Sequence, residues 1–416
     1  MNRLENRVVC RSRQAAYLPG LLTGASRPIQ MKIIHIADTH LGLSAFNRVD
    51  PETGMNLREQ LIYENFLSSI DQIIRMRPDA LVHAGDLFHQ VKPKTRAYTT
   101  ALDALCRLQD AGIPMIVVAG NHSMAKTRYT ASPFEVLERG GYRAGDLYVA
   151  HHNRYRRVEL DDTVFHLIPN MLRPEGYRTA FDEIEFSPGT NVLVTHGLAS
   201  ILKDRRLHTV AEHELDATVM SDRFDYIALG HFHDQVQVAD NAWYSGSLEY
   251  CNYGEIGDTK GGLAVDLSTG AVEGIDLPHT PMIDLGRINC DGLSAREVVS
   301  EILTTVDDAG RTTFQAICQV TLDGIRRETQ RALDQKALLN ARSQMLDLKL
   351  RVITVDDTTQ ILREDTLAGL DYIAEFERFV EREHLAPGDE EYVKKTGTRI
   401  LRSVIERHRE GENASE

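Results

Sequence analysis

The stretch Lys32-Ile33-Ile34-His35-Ile36-Ala37-Asp38-Thr39-His40-Leu41-Gly42 decides how this chain folds. A short, β-branched-rich apolar run (Lys32–Ile36) leads straight into an Asp-x-His pair and a glycine. Such a run reads as a strand buried on both faces, the kind found in a layered α/β core. The polar cluster then falls where the strand ends. Working outward, the same succession recurs. Ala80–Ala84 leads into Gly85-Asp86-Leu87-Phe88-His89, and Met115–Ala119 into Gly120-Asn121-His122. Asn191–Thr195 leads into His196-Gly197, and Asp225–Leu229 into Gly230-His231-Phe232-His233. Val164–Ile168 is a further strand candidate. Between the first two strands Leu57, Leu61, Phe66, Ile70, Ile73 and Ile74 recur at spacings of mostly three and four, which predicts a helix. Shorter β-like runs follow around Gly262–Val265 and Val272–Leu277. The order strand, glycine turn, helix, strand predicts an α/β layered core.

Open α/β sheets bind ligands at the carboxyl ends of their strands, where these five loops would converge. Glycine beside the candidate ligands allows tight turns and close backbone approach. The donors are two Asp, one Asn and at least four His, a hard, mixed oxygen and nitrogen set. That set suits manganese, iron or zinc, and not an all-oxygen calcium site or a thiolate site. Asp86 is the natural bridge between two cations, which at about 3.5–4 Å apart can clamp both oxygens of a phosphoryl displacement.

Composition narrows the classes further. The chain has 416 residues, 42% hydrophobic and 26% charged, so it is long enough for two or three packed domains. No stretch reaches the roughly 18–20 apolar residues of a membrane span. The net charge of −14 disfavours a generally basic surface. Basic residues nevertheless follow the motifs: Lys92, Lys94 and Arg96, then Lys126 and Arg128, then Lys203, Arg205 and Arg206. If the loops converge, they make a locally positive mouth, so the acidic total does not exclude DNA. The five cysteines are scattered, which argues against a disulfide framework and fits a reducing cytoplasm. Residues 1–30 are arginine-rich without periodicity and read as a disordered extension or an upstream start; a transit peptide is the other reading.

A different rhythm starts near His279. Met282–Leu285, Ser294–Val306, Phe314–Leu322, Glu328–Ser343 and Leu346–Val355 alternate strand and helix as a compact βαβαβ unit without clustered histidine. The tail carries two amphipathic helix candidates split by Ala386-Pro387-Gly388-Asp389, either packed on their own body or free to dock a partner helix. The expected domains are therefore a disordered extension at 1–30, the motif-bearing body at 31–278, the smaller unit at 279–355 and the helical tail at 356–416.

His-Ile-Ala-Asp38-Thr-His40-Leu-Gly, Gly-Asp86-Leu-Phe-His89 and Gly-His231-Phe-His233 together resemble the calcineurin-like metallophosphoesterase superfamily. Within it they resemble the SbcD-type nuclease family, bacterial and archaeal relatives of the eukaryotic meiotic-recombination nuclease. Trp243-Tyr-Ser-Gly-Ser-Leu-Glu249 resembles that family's region after the last ligand. The resemblance covers roughly residues 31–355, weakens over the tail and is absent from residues 1–30. It implies a metallophosphoesterase-type layered β-sandwich flanked by helices, with the βαβαβ unit as a capping domain governing DNA access. It implies a first metal held by Asp38, His40, Asp86 and His233, and a second by Asp86, Asn121, His196 and His231. The implied metal is manganese. His122 resembles the histidine acting on the leaving oxygen, and His89 one that contacts the scissile phosphate. The tail is implied to bind an SbcC-like coiled-coil ATPase. Homodimerisation is also implied; the helix after Leu57 is the candidate interface, with packing in the core as the other reading. One departure stands out: the family usually reads Gly-Asn-His-Asp, and Ser123 occupies the place of that Asp.

The leading expectation is thus a two-metal DNA nuclease with 3′→5′ exonuclease and single-strand or hairpin endonuclease activity, working in break repair. A second reading keeps the metals but acts on small phosphoesters. A third keeps only the fold, as a scaffold for an ATPase at DNA ends; seven intact ligand candidates argue against it. The remaining histidines are expected elsewhere: His35 and His83 in the core, His151, His152, His208 and His213 on loops or the surface. Phe376 and Phe379 are expected to pack, and Trp243 to line either a channel or the core.

Overall fold

The computed structural model describes residues 31–46, 48–124, 130–140, 145–199, 202, 214–215, 219–310, 315–355, 376, 380, 390–399 and 402. In chain order the elements begin β1 (Lys32–Ile36), α1 (Leu57–Met76), β2 (Ala80–His83), α2 (Thr95–Ala111), β3 (Met115–Val118), α3 (Phe134–Glu138) and β4 (Leu147–Ala150). They continue with β5 (Arg156–Leu160), β6 (Thr163–Ile168), α4 (Pro174–Asp182), β7 (Thr190–His196), β8 (Leu198–Ala199), β9 (Glu214–Leu215) and β10 (Tyr226–Gly230). Then come β11 (Gln235–Ala239), β12 (Ala242–Ser245), β13 (Gly262–Asp266), β14 (Ala271–Ile275) and β15 (Met282–Asn289). The last are α5 (Ala295–Ala309), β16 (Ile317–Ile325), α6 (Arg327–Arg331), α7 (Gln335–Ser343) and β17 (Asp347–Thr354).

Two six-stranded sheets form the body, in the orders β14-β13-β1-β2-β3-β4 and β11-β12-β10-β7-β6-β5. Each has a four-stranded parallel centre, β1 to β4 in one and β12-β10-β7-β6 in the other, with antiparallel strands at its edges. Alternate residues explain the layering. Ile33, Val82, Ile116 and Val118 join Phe165, Val192, Val194 and Ala228 in one apolar cluster between the sheets. Their neighbours Ile34, Ile36, Leu81 and Val117 point the other way, onto Ile62, Phe66 and Ile70 of α1 and Ala101, Leu105 and Leu108 of α2. On the second sheet Leu193, Ile227 and Leu229 pack outward with Tyr177 and Ala180 of α4. A period-two strand with both faces apolar needs a layer on each side, and here one face meets helices and the other meets the second sheet. The expected layered sandwich is what the chain forms.

The expected strands of the body are all present within a residue or two. Six others were not anticipated, β4, β5, β8, β9, β11 and β12, and neither were α2, α3 and α4. Helix α1 differs from the single-stripe expectation. Asn56 caps it by accepting the Glu59 N–H at 3.0 Å, and Ile62, Phe66, Ile70 and Ile73 face the first sheet. Leu57 and Leu61 instead pack with Met282, Ile317 and Leu346. One helix thus serves two apolar clusters.

By compactness the chain divides into two units. The larger runs through Gly286 and includes Ile302–Val320 and Gln335–Lys349; the smaller holds Arg287–Glu301, Thr321–Asp334 and residues from Leu350 on. Strands β15, β16 and β17 form a three-stranded sheet in that order. The helix expected over Glu328–Ser343 is two, α6 and α7, interrupted at Ala332-Leu333-Asp334. The Ala332 N–H closes α6 on the Glu328 and Thr329 carbonyls, and Asp334 stands at the position where an aspartate favours a new helix start. In the tail, residues 390–399 are helical and Phe376 lies against Gly397, so Phe376 packs. The first tail helix and Phe379 otherwise fall outside the described residues. Among the described residues no helix is long and apolar enough to cross a membrane.

Candidate metal centre

All five motif loops leave the carboxyl ends of parallel strands: β1, β2 and β3 in one sheet, β7 and β10 in the other. Two of them are zipped together by backbone hydrogen bonds, Asp38 N–H to the Gly85 carbonyl and His40 N–H to the Asp86 carbonyl, both at 3.0 Å. Asp38, His40, Asp86 and His231 all have left-handed backbone, with φ of 51°, 47°, 53° and 100°. Each such non-glycine residue costs on the order of 1–3 kcal/mol, strain that the surrounding fold must hold in place. The glycines are explained by close approach. A Cβ on Gly85 would lie 2.1 Å from the His196 Nδ1, and one on Gly120 would lie 2.2 Å from the Asp86 Oδ1.

The structure gathers every ligand candidate into two adjoining clusters. In the first, His40 Nε2 and His233 Nε2 lie 3.2 Å apart, at 4.0 and 3.9 Å from Asp38 Oδ1. In the second, His196 Nε2 lies 2.9 Å from Asn121 Oδ1 and 3.3 Å from Asp86 Oδ2, and His231 Nδ1 lies 3.2 Å from Asn121 Oδ1. Asp38, His40, Asp86 and His196 are buried. Asp38 Oδ2 accepts the His231 N–H at 2.8 Å, and Asp86 Oδ1 accepts the His122 N–H at 2.9 Å. That leaves one oxygen of each carboxylate facing the clusters.

Two observations show that these residues fit divalent cations. First, Asp38 Oδ1 is buried without a hydrogen-bond partner, a costly state for a carboxylate oxygen unless a cation is its partner. Second, His196 Nδ1–H donates to the Ala84 carbonyl at 2.9 Å, so in the neutral ring the Nε2 lone pair faces two oxygen acceptors. Three electron-rich atoms converge there. Asp38, Asp86 and His196 also lie close enough together to share one ion.

The electrostatics agree. Burial alone would lower the His196 pKa, but the Asp86 carboxylate, then Asp38, raises it to about 9. Burial raises Asp38 against the pull of His196 and His233. Burial works the same way on Asp86, yet His196, His40 and His122 hold it well below the carboxylate range. Burial also drives His40 well below its ordinary value, which makes it a neutral imidazole fit for ligation. Positive charge is what this site demands.

His89 and His122 stack at the edge of the site, 5.1 Å between centroids and 22° between planes. His122 is exposed, and its Nδ1–H donates to the His89 carbonyl at 3.1 Å. The ring is oriented by that carbonyl and not by residue 123. The Ser123 Oγ is buried without a partner, so the serine makes no hydrogen bond to the His122 ring. His89 is held low, at about 4, by burial first and then by His122.

Outside the clusters, His35 bonds the Tyr226 hydroxyl at 2.9 Å and His83 bonds Thr39 Oγ1 at 3.1 Å, both in the core as expected. His151 lies in the loop after β4 as expected, but it is buried there, with Nε2 on Glu138 at 3.0 Å. His208 and His213 lie outside the described residues. Trp243 packs on the cluster between the sheets. Of the basic residues after the motifs, Lys92, Lys94 and Arg96 are exposed, and Lys94 pairs with Glu59 at 2.5 Å. Lys126, Arg128, Lys203, Arg205 and Arg206 lie outside the described residues.

Sequence reading missed Glu255. Its carboxylate accepts from His233 Nδ1 at 2.8 Å, but it stands 22 residues away on a 3-10 turn, Tyr253–Glu255, with no motif around it.

Comparison with known proteins points the same way. A family model described as calcineurin-like phosphoesterase matches residues 31–235. The DNA double-strand break repair protein Mre11 of Methanococcus maripaludis is 26% identical over 260 residues, which cover 59% of this chain and 67% of that protein. The Sulfurisphaera tokodaii protein of the same name is 30% identical over 203 residues, 49% of each chain. The one from Aeropyrum pernix is 28% identical over 307 residues, 66% of this chain and 68% of that protein. The matched segments thus span from about half to about two thirds of these relatives.

Proposed function

Because this chain belongs to the calcineurin-like metallophosphoesterases of the Mre11/SbcD type, we propose that it is a metal-dependent DNA nuclease of double-strand break repair. The observation that carries the reading is Asp86 Oδ2, 3.3 Å from His196 Nε2, beside the unpartnered Asp38 Oδ1, with Asp38, Asp86 and His196 close enough together to share one ion. Asp38, His40, Asp86 and His233 would hold one divalent cation, and Asp86, Asn121, His196 and His231 the other. Manganese is our choice of metal. When bound, the pair supplies water activation and charge neutralisation for displacement at phosphorus.

The chain's own groups do the rest. Asp38 and Asp86 set the negative field that collects the cations at one edge of the sandwich. His122, with Nδ1–H tied to a carbonyl, is the group that would donate a proton to the departing sugar oxygen. His89, stacked on it, stands where a non-bridging phosphate oxygen would be contacted. Exposed Lys92 and Arg96 follow His89 and suit a phosphate backbone. The finer parts of the reading are 3′→5′ exonuclease and single-strand or hairpin endonuclease activity, a homodimer, and a tail that docks an SbcC-like coiled-coil ATPase. A cytoplasmic location follows from that role.

Purified protein with manganese should cut labelled single-stranded or blunt duplex DNA as well as bis-p-nitrophenyl phosphate. Hydrolysis of the small ester alone would defeat the nuclease reading and favour a small-phosphoester enzyme.

A further inference from the structure

We propose that Glu255, locked by Lys260, is a positioning residue that presents the Nε2 lone pair of His233 to the first metal position, and that this pair makes that position the tighter of the two. The proposal rests on the two-cation reading above and goes beyond it.

The Glu255 carboxylate is 1% exposed and all its acceptor sites are directed. Its Oε1 accepts from His233 Nδ1 at 2.8 Å and Asn252 Nδ2 at 2.7 Å. Its Oε2 accepts from Lys260 Nζ at 2.8 Å and the Cys251 N–H at 3.0 Å. A buried carboxylate with four donors has one orientation and no freedom to turn. Lys260 is equally enclosed. Its Nζ also donates to the His233 carbonyl and to Ser247 Oγ, each at 2.9 Å, and lies 4.8 Å from the Tyr250 ring centre. The pair therefore grips His233 twice, by its ring through Glu255 and by its main chain through Lys260.

Burying a lysine and a glutamate together costs desolvation that packing alone does not require. What the arrangement accomplishes is tautomer control. With Nδ1–H donated to a carboxylate, the lone pair of His233 is fixed on Nε2, on the side of His40 and Asp38, and the ring becomes a stronger donor to a metal. In the second cluster His196 rests its Nδ1–H on a neutral carbonyl, that of Ala84. A carboxylate behind one ligand and a carbonyl behind the other make the two positions unequal.

The test is manganese titration of the EDTA-stripped full chain by calorimetry, with the ion's paramagnetic resonance followed in parallel. Wild type should bind two ions in unequal steps. Glu255→Gln should weaken the tighter step by about 10–100-fold and leave the other unchanged. Because that variant strands the Lys260 charge, Glu255→Gln/Lys260→Met, which removes both charges, should lose the same step. Thermal unfolding in EDTA reports whether each variant is folded. Two unchanged steps in a folded variant, or equal weakening of both, would overturn the proposal, as would unfolding of both variants, which would mark the pair as structural. Wild-type protein that fails to take up two ions would instead bring down the two-cation reading itself, before any variant is compared.

Discussion

Gly120→Ala is the smallest change that reaches the Asp86 carboxylate, the proposed bridge, without touching a ligand candidate. The added Cβ would lie 2.2 Å from Asp86 Oδ1, 2.5 Å from its backbone nitrogen and 2.6 Å from Cγ. Ordinary contact begins near 3.4 Å, so Asp86 has to retreat by about 1 Å. Rotation of the side chain cannot relieve the clash, because one of the colliding atoms is main chain. The Gly120 backbone itself is open to alanine, so the effect is steric and not conformational. Overpacking of this kind costs about 1–3 kcal/mol. Moving a catalytic group by about 1 Å costs on the order of 10²-fold in rate. The assay combines thermal unfolding, manganese titration and hydrolysis of bis-p-nitrophenyl phosphate. Loss should appear in all three, with the rate most affected. Gly112→Ala is the control. Its Cβ meets nothing within 4 Å, but its φ of +72° strains any side chain, so it should lose about 1 kcal/mol of stability with metal uptake and rate intact. A Gly120→Ala protein with wild-type manganese stoichiometry and wild-type rate would refute the placement of Asp86 as the shared ligand.

Three further outcomes are expected. His122→Ala should lose at least tenfold in turnover on DNA while still binding both ions; undiminished activity would remove the ring from leaving-group chemistry. Ser123→Ala removes a hydroxyl that satisfies nothing, so stability should hold or rise by up to about 1 kcal/mol and the pH–rate profile should not move; a shifted profile would show that Ser123 does support His122. Buried His35 is held at about 3 by desolvation, so below pH 6.5 the unfolded chain binds a proton that the folded one excludes. Its contribution to stability is complete above pH 6.5 and drains away as pH falls toward 3, at up to about 1.4 kcal/mol per unit. Urea unfolding of His35→Gln should depend less on pH across that window, and equal slopes in the two proteins would exclude His35 from the acid response.

The net charge of −14 is consistent with this chemistry once charge is placed. Within the site the acidic groups are candidate cation ligands, and the described basic residues that follow His89 are exposed. A DNA substrate would meet local positive charge and metal, not the average surface.

Seven ligand candidates were legible because each follows a short apolar run. A strand buried on both faces has a recognisable composition, and parallel strands place their following loops on one edge. Thus Asp38, His40, Asp86, Asn121, His196, His231 and His233 could be grouped before any distance was known. The strands missed were β4, β5, β8, β9, β11 and β12. β5 (Arg156–Leu160) and β11 (Gln235–Ala239) are edge strands with exposed polar residues, where the apolar signal fades. Leu57 and Leu61 fit a helical stripe, yet only packing could show that they serve a different cluster from Phe66 and Ile70. The break at Ala332–Asp334 was hidden because the apolar spacing continues across it. Local pattern therefore determined which residues end the strands and what donors they carry. Tertiary structure alone decided that Glu255 and Lys260 close around His233, that a carbonyl orients His122, and that Gly120 presses on Asp86. Those contacts join residues tens of positions apart through burial and directional hydrogen bonds, and no periodicity along the chain encodes them.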